Sequence, residues 1–209
     1  MVASARTIRP SPDPFLLGVA ADITEPATAS QIVSAALERF GRIDTLVSSA
    51  GVIIAKPFTD YTAADYTAVA GGSLAGFFWL TQRAIGEMAV RYGGHVVTVS
   101  VTPPGPADSG SPAVLPALAA GGLAAPTRAL AIEYAARGIR VNAVSAGVIQ
   151  PSLDQADGHD GLGGWLPPLG RPAPVSDIVD GVLFLESAPH ITGEILHIDG
   201  GLSAESERV

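Results

Sequence analysis

Short apolar runs alternate along this chain with longer stretches in which apolar residues recur every three or four positions. The short runs predict five β-strands, at residues 15–20, 45–48, 95–100, 139–144 and 195–198. The longer stretches predict four α-helices, at residues 27–40, 63–92, 112–136 and 174–186. Strands that alternate with helices are typical of a parallel sheet covered by helices on both faces. The pattern therefore predicts one α/β domain that spans residues 1–209.

Local signals refine two of the predicted helices. Thr62, followed three residues later by Asp65, matches a capping box and predicts a helix start at residue 63. We expect that helix to be interrupted near Gly71 and Gly72, because glycine weakens a helix interior. Pro126 lies inside the helical pattern 112–136. Since proline lacks a backbone donor, we expect it to kink this helix or to delay its start.

The composition excludes several classes of function. A net charge of -8 with only 15% charged residues leaves no basic surface for phosphates, so we expect no nucleic-acid partner. The chain has no cysteine, which excludes disulfides, thiolate catalysis and cysteine-ligated metals. The N-terminus lacks the apolar core of a signal peptide, and no apolar run approaches the ~20 residues that span a bilayer. We expect a cytoplasmic protein without membrane contact.

Several segments carry a resemblance to a known family. The run Arg-Gly-Ile-Arg-Val-Asn at 137–142 is shared with the short-chain dehydrogenase/reductase family, and Ser-Ser-Ala-Gly at 48–51 takes the place of its Asn-Asn-Ala-Gly. The runs at 21–24, 40–47, 141–147 and 198–201 also resemble family motifs. This resemblance implies a Rossmann-like doubly wound parallel sheet.

The chain departs from the family at its beginning. The family's first βαβ unit carries a Thr-Gly-x-x-x-Gly-x-Gly loop that cradles a pyrophosphate, and residues 1–14 are too few for such a unit of ~30 residues. We therefore expect a Rossmann-like doubly wound parallel sheet missing the first βαβ unit. Either the strand at 15–20 moves in beside the strand at 45–48, or the latter keeps an edge for another chain to cover.

The family's catalytic positions hold unusual residues here. The resemblance places the family's Asn, Ser, Tyr and Lys at Ser73, Val101, Pro116 and Ala120. In the family the Tyr donates the proton, the Lys lowers its pKa and holds the ribose, and the Ser binds the carbonyl oxygen. None of these four side chains titrates, and segment 101–127 contains no Tyr, Lys or His. We therefore expect no ordinary NAD(P) redox chemistry and no cofactor.

Other residues supply candidate chemistry. We predict Asp108, Ser100 and His159 as catalytic residues, because a lone carboxylate among Pro and Gly can act as a base and an acidic loop surrounds His159. Alternatively, Asp108 caps the following helix and the segment 154–160 is a solvated loop. That segment could also hold a divalent cation, but we predict no metal site. The predicted substrate-binding residues are Ser73, Val101, Pro116 and Trp165.

Three functions fit this residue set. We favour a non-redox enzyme of the cyclase, isomerase or dehydratase type that acts on a hydrophobic small molecule, for example in secondary metabolism. The alternative is a pseudoenzyme that binds a ligand or pairs with an active homologue. A third possibility is an NAD(P)-dependent oxidoreductase with a different acid. The resemblance also implies a homodimer or homotetramer formed through the helices at 63–92 and 112–136.

Two further residues are expected to have no direct part in function. We expect Lys56 to be a solvated loop residue and His95 to be a structural residue.

Overall fold

A computed structural model describes residues 1–49, 51–102, 114–150 and 166–206 of the chain. The strands are β1 (Val2–Ala5), β2 (Leu17–Ala20), β3 (Thr45–Ser48), β4 (Gly94–Val101), β5 (Ile139–Ala146) and β6 (Ile195–Ile198). The helices are α1 (Pro26–Phe40), α2 (Ala63–Val69), α3 (Gly76–Arg91), α4 (Val114–Tyr134), α5 (Val175–Ser187) and α6 (Leu202–Ser206). All five predicted strands are present, and the α/β class is confirmed.

The larger sheet is parallel and is covered on both faces. Its strand order is β3-β4-β5-β6. On β4, Val96 packs with residues of α3 and α4, whereas its neighbour Val97 packs on the opposite face with residues of α5. Val141 and Val144 of β5 divide between the same two clusters. All four valines are 0% exposed, so both faces of β4 and β5 are buried under helices.

A second, two-stranded sheet lies beyond β3. Its strand β1 was not predicted from the sequence, and it pairs in parallel with β2 from Val2 opposite Leu17 to Ala5 opposite Ala20. Among the described residues, no backbone hydrogen bond joins β1 or β2 to β3. Both sheets nevertheless share one cluster with α1 and α3, in which Val2, Val19 and Leu46 meet. Within the described part of the chain, β2 therefore does not pair with β3, and no strand pairs with the other edge of β3.

Helices α2 and α3 are continuous through a wider turn. The predicted capping box is confirmed, because the Thr62 hydroxyl accepts from the Asp65 amide while the Asp65 carboxylate accepts from the Thr62 amide. The interruption expected at Gly71 and Gly72 is a π-helical segment, Ala70–Ala75. Such segments are often found at functional sites. Here it holds Ser73, which is buried.

Helix α4 is long and apolar, and with the following turn it would be long enough to cross a bilayer by length and composition. It packs, however, on β4 and β5 through buried residues such as Leu123 and Ala131. Pro126 lies inside α4, which already begins at Val114. The prediction that this proline would delay the helix start is therefore wrong.

Candidate functional site

A cavity of about 210 Å³ lies where β3, β4 and β5 end. Carboxyl ends of parallel strands share one edge of a sheet, and that edge is where α/β proteins place their ligands. The walls come from the loop after β3, the π-helical segment, the end of β4, helix α4 and the residues that follow β5. The lining residues are Ser49, Gly51, Val52, Ile53, Ser73, Val99, Ser100, Val101, Pro116, Ala119, Ala120, Leu123, Ala146 and Ile149.

Four of the predicted site residues lie on the wall of this cavity. They are Ser73, Ser100, Val101 and Pro116, and Ala120 lies beside them. The loop after β3 approaches closely at Gly51, where an added Cβ atom would lie 3.3 Å from the Ser73 hydroxyl oxygen. The glycine therefore lets the loop close over the π-helical segment. The structure brings these residues together, while their roles remain predictions.

The cavity combines an apolar lining with a few hydroxyl groups. Among the described residues that line it, the polar side chains are Ser49, Ser73 and Ser100, and none of the lining side chains titrates near neutral pH. A serine hydroxyl can donate a hydrogen bond to a carbonyl oxygen, but it does not supply a proton in the way a titratable acid does. The geometry therefore suits one polar group of a ligand that is otherwise apolar.

The other predicted residues lie outside the described part of the chain. Asp108, His159 and Trp165 belong to the ranges 103–113 and 151–165, so their placement is not tested. The acidic segment 154–160 also belongs to the range 151–165. Within residues 1–49, 51–102, 114–150 and 166–206, no three His, Asp or Glu side chains come together as a metal site would require.

A polar network that the sequence did not predict holds the strand ends behind the cavity. Thr102, directly after β4, shares a hydrogen bond of 2.8 Å with Ser145 of β5 and donates to the Asp199 carboxylate at 3.3 Å. Asp199 also accepts from the backbone amides of Gly201 and Ser203. Burial acts to raise the pKa of Asp199, but these hydrogen bonds outweigh it and lower the pKa. Asp199 is thus an ionised structural residue that ties the end of β6 to β4.

A second polar network lies at the opposite edge of the sheet and centres on His95, which is 2% exposed. Its Nδ1 lies 2.5 Å from the Glu186 carboxylate, and its Nε2 lies 3.0 Å from the Asn142 side-chain nitrogen. These partners assign the proton to Nδ1, with Nε2 accepting from Asn142. The Arg140 guanidinium contacts the same ring. Since all four residues lie away from the cavity, this network belongs to the scaffold.

The His95 network gives folding a defined pH dependence. Burial lowers the pKa of His95 below its ordinary value of 6.5, although the Glu186 hydrogen bond opposes that shift. Below pH 6.5 His95 therefore binds a proton in the unfolded chain while it is still neutral in the folded protein. Below pH 6.5 the free energy of unfolding should therefore decrease as the pH is lowered, by up to about 1.4 kcal/mol per pH unit. Glu186, whose ordinary pKa is 4.5, contributes only at lower pH.

Urea unfolding between pH 7 and pH 5 measures this dependence. We expect the His95→Gln variant to show a shallower decline than the wild type, and the variant of an exposed histidine, His190→Gln, to follow the wild type. Equal slopes for the wild type and His95→Gln would contradict the assignment of this pH dependence to His95.

A larger apolar groove runs between α3 and α4. It has a volume of about 870 Å³ and is lined by apolar and aromatic side chains that include Phe78, Trp79, Pro126 and Tyr134. Phe78 is 52% exposed and adds to the apolar surface of this groove, and large exposed apolar patches mark interaction sites. This groove lies on the helices for which subunit contacts were predicted.

Comparison with known proteins agrees with this geometry. Residues 4–203 match the family described as enoyl-(acyl carrier protein) reductase. The chain is 35% identical to ketoacyl reductase 2 of the granaticin polyketide synthase from Streptomyces violaceoruber, over 90% of this chain and 77% of that protein. It is 30% identical to the 3-oxoacyl-[acyl-carrier-protein] reductase FabG of Escherichia coli, over 88% of this chain and 77% of that protein. The solved structure of ElxO with NADP bound superimposes with a TM-score of 0.78 at 24% identity, over 90% of this chain and 79% of ElxO.

Proposed function

The chain belongs to the short-chain dehydrogenase/reductase family, and on that premise we propose that it is an oxidoreductase that interconverts a carbonyl and a hydroxyl group. Its proposed substrates are small and largely apolar, such as 3-oxoacyl thioesters. Two relatives with at least 30% identity carry names of ketoacyl reductases, which supports this class of substrate.

The function favoured by the sequence is wrong. A cyclase, isomerase or dehydratase without a cofactor was expected, with a pseudoenzyme as the alternative, because Pro116 and Ala120 cannot take part in proton transfer. The relatives named above are reductases, and the matching family is a reductase family. Unusual residues at the catalytic positions are therefore not a reason to place this chain outside the oxidoreductases.

One observation carries the proposal: hydroxyl groups stand in an apolar cavity at the carboxyl edge of the sheet. In the proposed arrangement, Ser73 and Ser100 donate hydrogen bonds to the substrate's carbonyl oxygen. Val101 and Pro116 contact the adjoining carbons and keep water away from them. Hydrogen bonds in a site of low dielectric stabilise developing negative charge on oxygen more strongly than they do in water.

The family implies a nicotinamide dinucleotide, and the described residues fit it only in part. Asp22, at the position that lies beside the adenine in the family, already accepts hydrogen bonds from the amide and hydroxyl of Thr24. Helix α1 begins after Glu25, whose carboxylate would repel a phosphate group. The position of the ribose-binding lysine is Ala120. Because the residues that the structure describes do not complete such a site, no catalytic step is assigned to the dinucleotide.

The source of the proton is proposed from sequence position. Asp108 follows β4 and His159 follows β5 along the chain, and both strands end at the cavity. We propose that one of these two residues would protonate the substrate oxygen held by Ser73 and Ser100, with a nicotinamide dinucleotide as the external source of the hydride that the carbonyl carbon must receive. Trp165 follows the same segment as His159 and is proposed to cover the apolar part of the substrate.

The proposed function predicts a specific loss in the Ser100→Ala variant. Turnover of a short 3-oxoacyl thioester, measured with NADPH or NADH in excess, should fall about 100-fold, because a hydrogen-bond donor to the carbonyl oxygen is removed. Ser176→Ala changes an exposed serine at the start of α5 and should retain wild-type turnover. If the wild-type chain forms no alcohol with either dinucleotide, the proposed function is overturned.

We also propose a homodimer or homotetramer that forms through the groove between α3 and α4. Burial of an aromatic side chain such as Phe78 against a second copy would stabilise the assembly, since each buried Å² of apolar surface contributes about 25 cal/mol. Sedimentation equilibrium should give a mass that is twice or four times 21.2 kDa. A mass of one chain at all concentrations would contradict it.

A further inference from the structure

The loop that follows β3 forms one wall of the cavity. Gly51, Val52 and Ile53 line the cavity directly, and the chain then turns away through Ile54 and Lys56. Among the described residues, β4 alone pairs with β3, so no strand found there holds this wall on its other side. Side-chain contacts help to fix its position.

A single phenol group fixes the far end of this loop. The Tyr61 hydroxyl donates to the backbone carbonyl of Ile54 at 2.8 Å. The same oxygen accepts from the backbone amide of Lys56 at 3.2 Å. One hydroxyl thus satisfies two backbone groups on either side of Ala55 and holds the turn in one conformation.

An ion pair ties the same turn to α2. The Lys56 ammonium group lies 2.9 and 2.8 Å from the two carboxylate oxygens of Asp65. The Lys56 hydrogen bond, together with those from Thr62, lowers the pKa of Asp65 to about 2. Asp65 also completes the capping box of α2 with Thr62. Lys56 is therefore not the solvated loop residue that the sequence indicated.

The apolar side of this arrangement reaches the opposite wall of the cavity. Tyr61 and Ile54 pack in a cluster with Leu115 and Ala119 of α4. Leu115 and Ala119 are the immediate neighbours of Pro116 and Ala120, which line the cavity. The Tyr61 ring thus packs in one cluster with the loop wall and with α4.

We propose that Tyr61, supported by the Lys56–Asp65 ion pair, is a positioning residue that sets the width of the cavity and so determines how tightly a carbonyl substrate is held. This inference rests on the proposed function. Tyr61 does not line the cavity, and its hydroxyl is already engaged by the backbone, so its effect is on binding. Loss of the hydroxyl would release the Ile54 carbonyl and the Lys56 amide and let the loop wall move outward.

Tyr61→Phe tests this inference because it removes the hydroxyl and keeps the ring. We expect KM for a short 3-oxoacyl thioester to rise about tenfold while kcat changes less than twofold, as is expected when binding alone is weakened. Lys56→Met should also raise KM, because it removes the ion pair with Asp65. The matched control is Tyr66→Phe on α2, whose ring is 61% exposed, and it should leave KM unchanged.

A second measurement does not depend on turnover. In the protein alone, hydrogen exchange of the Lys56 amide should become at least tenfold faster in Tyr61→Phe and stay unchanged in Tyr66→Phe. An unchanged exchange rate, or a fall in kcat at constant KM, would overturn the positioning role. Absence of turnover in the wild type would overturn the proposed function, while the exchange experiment would still decide whether Tyr61 holds the loop.

Discussion

Replacing Ala120 by tryptophan is expected to lower turnover at least 100-fold while the chain remains folded. Ala120 lines the cavity of about 210 Å³, and an indole ring at this position would occupy most of the space proposed for the substrate. The added volume enters an existing cavity, so the loss in the free energy of unfolding should not exceed the 1–3 kcal/mol, roughly, that overpacking causes in a filled core. Turnover of a 3-oxoacyl thioester and urea unfolding are measured on the same preparation.

The control for this variant lies on the same helix. Leu118 is 58% exposed and does not line the cavity, so Leu118→Trp adds an indole ring to α4 without filling the site. It should retain wild-type turnover. If Ala120→Trp unfolds like the wild type and also turns over like it, the reaction takes place elsewhere and the assignment of the cavity is wrong.

Replacing Arg140 by methionine is expected to lower the free energy of unfolding by about 3–5 kcal/mol. The guanidinium group donates to the backbone carbonyls of Leu185 at 2.7 Å and of Glu186 at 3.0 Å, at the end of α5. It also donates to the carbonyls of Ala188 and Ile191 in the following turn. Methionine fills similar space but removes these hydrogen bonds, although the carbonyls of Ala188 and Ile191 also accept from the Ile191 amide and the Asn142 side chain. Because small domains are stable by about 5–15 kcal/mol, this loss is a large share of the total.

Urea unfolding monitored by circular dichroism measures this effect. Arg128→Met removes an exposed arginine from α4 and should change the free energy of unfolding by less than about 0.5 kcal/mol. A loss below about 1 kcal/mol in Arg140→Met would show that the guanidinium group does not hold the end of α5 to the sheet.

The strands of the larger sheet could be predicted because burial leaves a clear pattern. In β4 and β5 both faces are covered, so apolar residues face both sides, four valines in β4 and five of eight residues in β5, and each run stands out. Strand β1 could not be found in this way. Its four residues, Val2–Ala5, contain one large apolar side chain, and only the first half of the strand is partly buried. Its pairing with β2 depends on contacts that the sequence pattern does not contain.

The site residues were predicted from the resemblance, and their roles stay predictions. The resemblance placed Ser73, Val101 and Pro116 at corresponding points of the family, and the structure brings them, together with Ser100, to one cavity. The inference of non-redox chemistry failed because it rested on missing groups alone. A proton donor can come from another part of the chain. The absence of a titratable side chain at one position therefore does not show that the site lacks a donor.

The side-chain contacts that organise the site left no signal in the sequence. Tyr61 binds the backbone carbonyl of Ile54 and the backbone amide of Lys56, and almost any residue type at those two positions would offer the same groups. Arg140 likewise donates to carbonyl oxygens on α5, far along the chain. Interactions of this kind follow from the three-dimensional placement of the backbone, so only the structure reveals them.

The most direct test of the oxidoreductase assignment is the stereochemistry of the product formed by the purified chain. A short 3-oxoacyl thioester is incubated with NADPH, and the 3-hydroxyacyl product is separated by chiral chromatography. We expect one enantiomer in excess from the wild-type chain, and at least 100-fold less of it from Ala120→Trp in the same time. No alcohol, or equal amounts of the two enantiomers from the wild-type chain, would contradict this assignment.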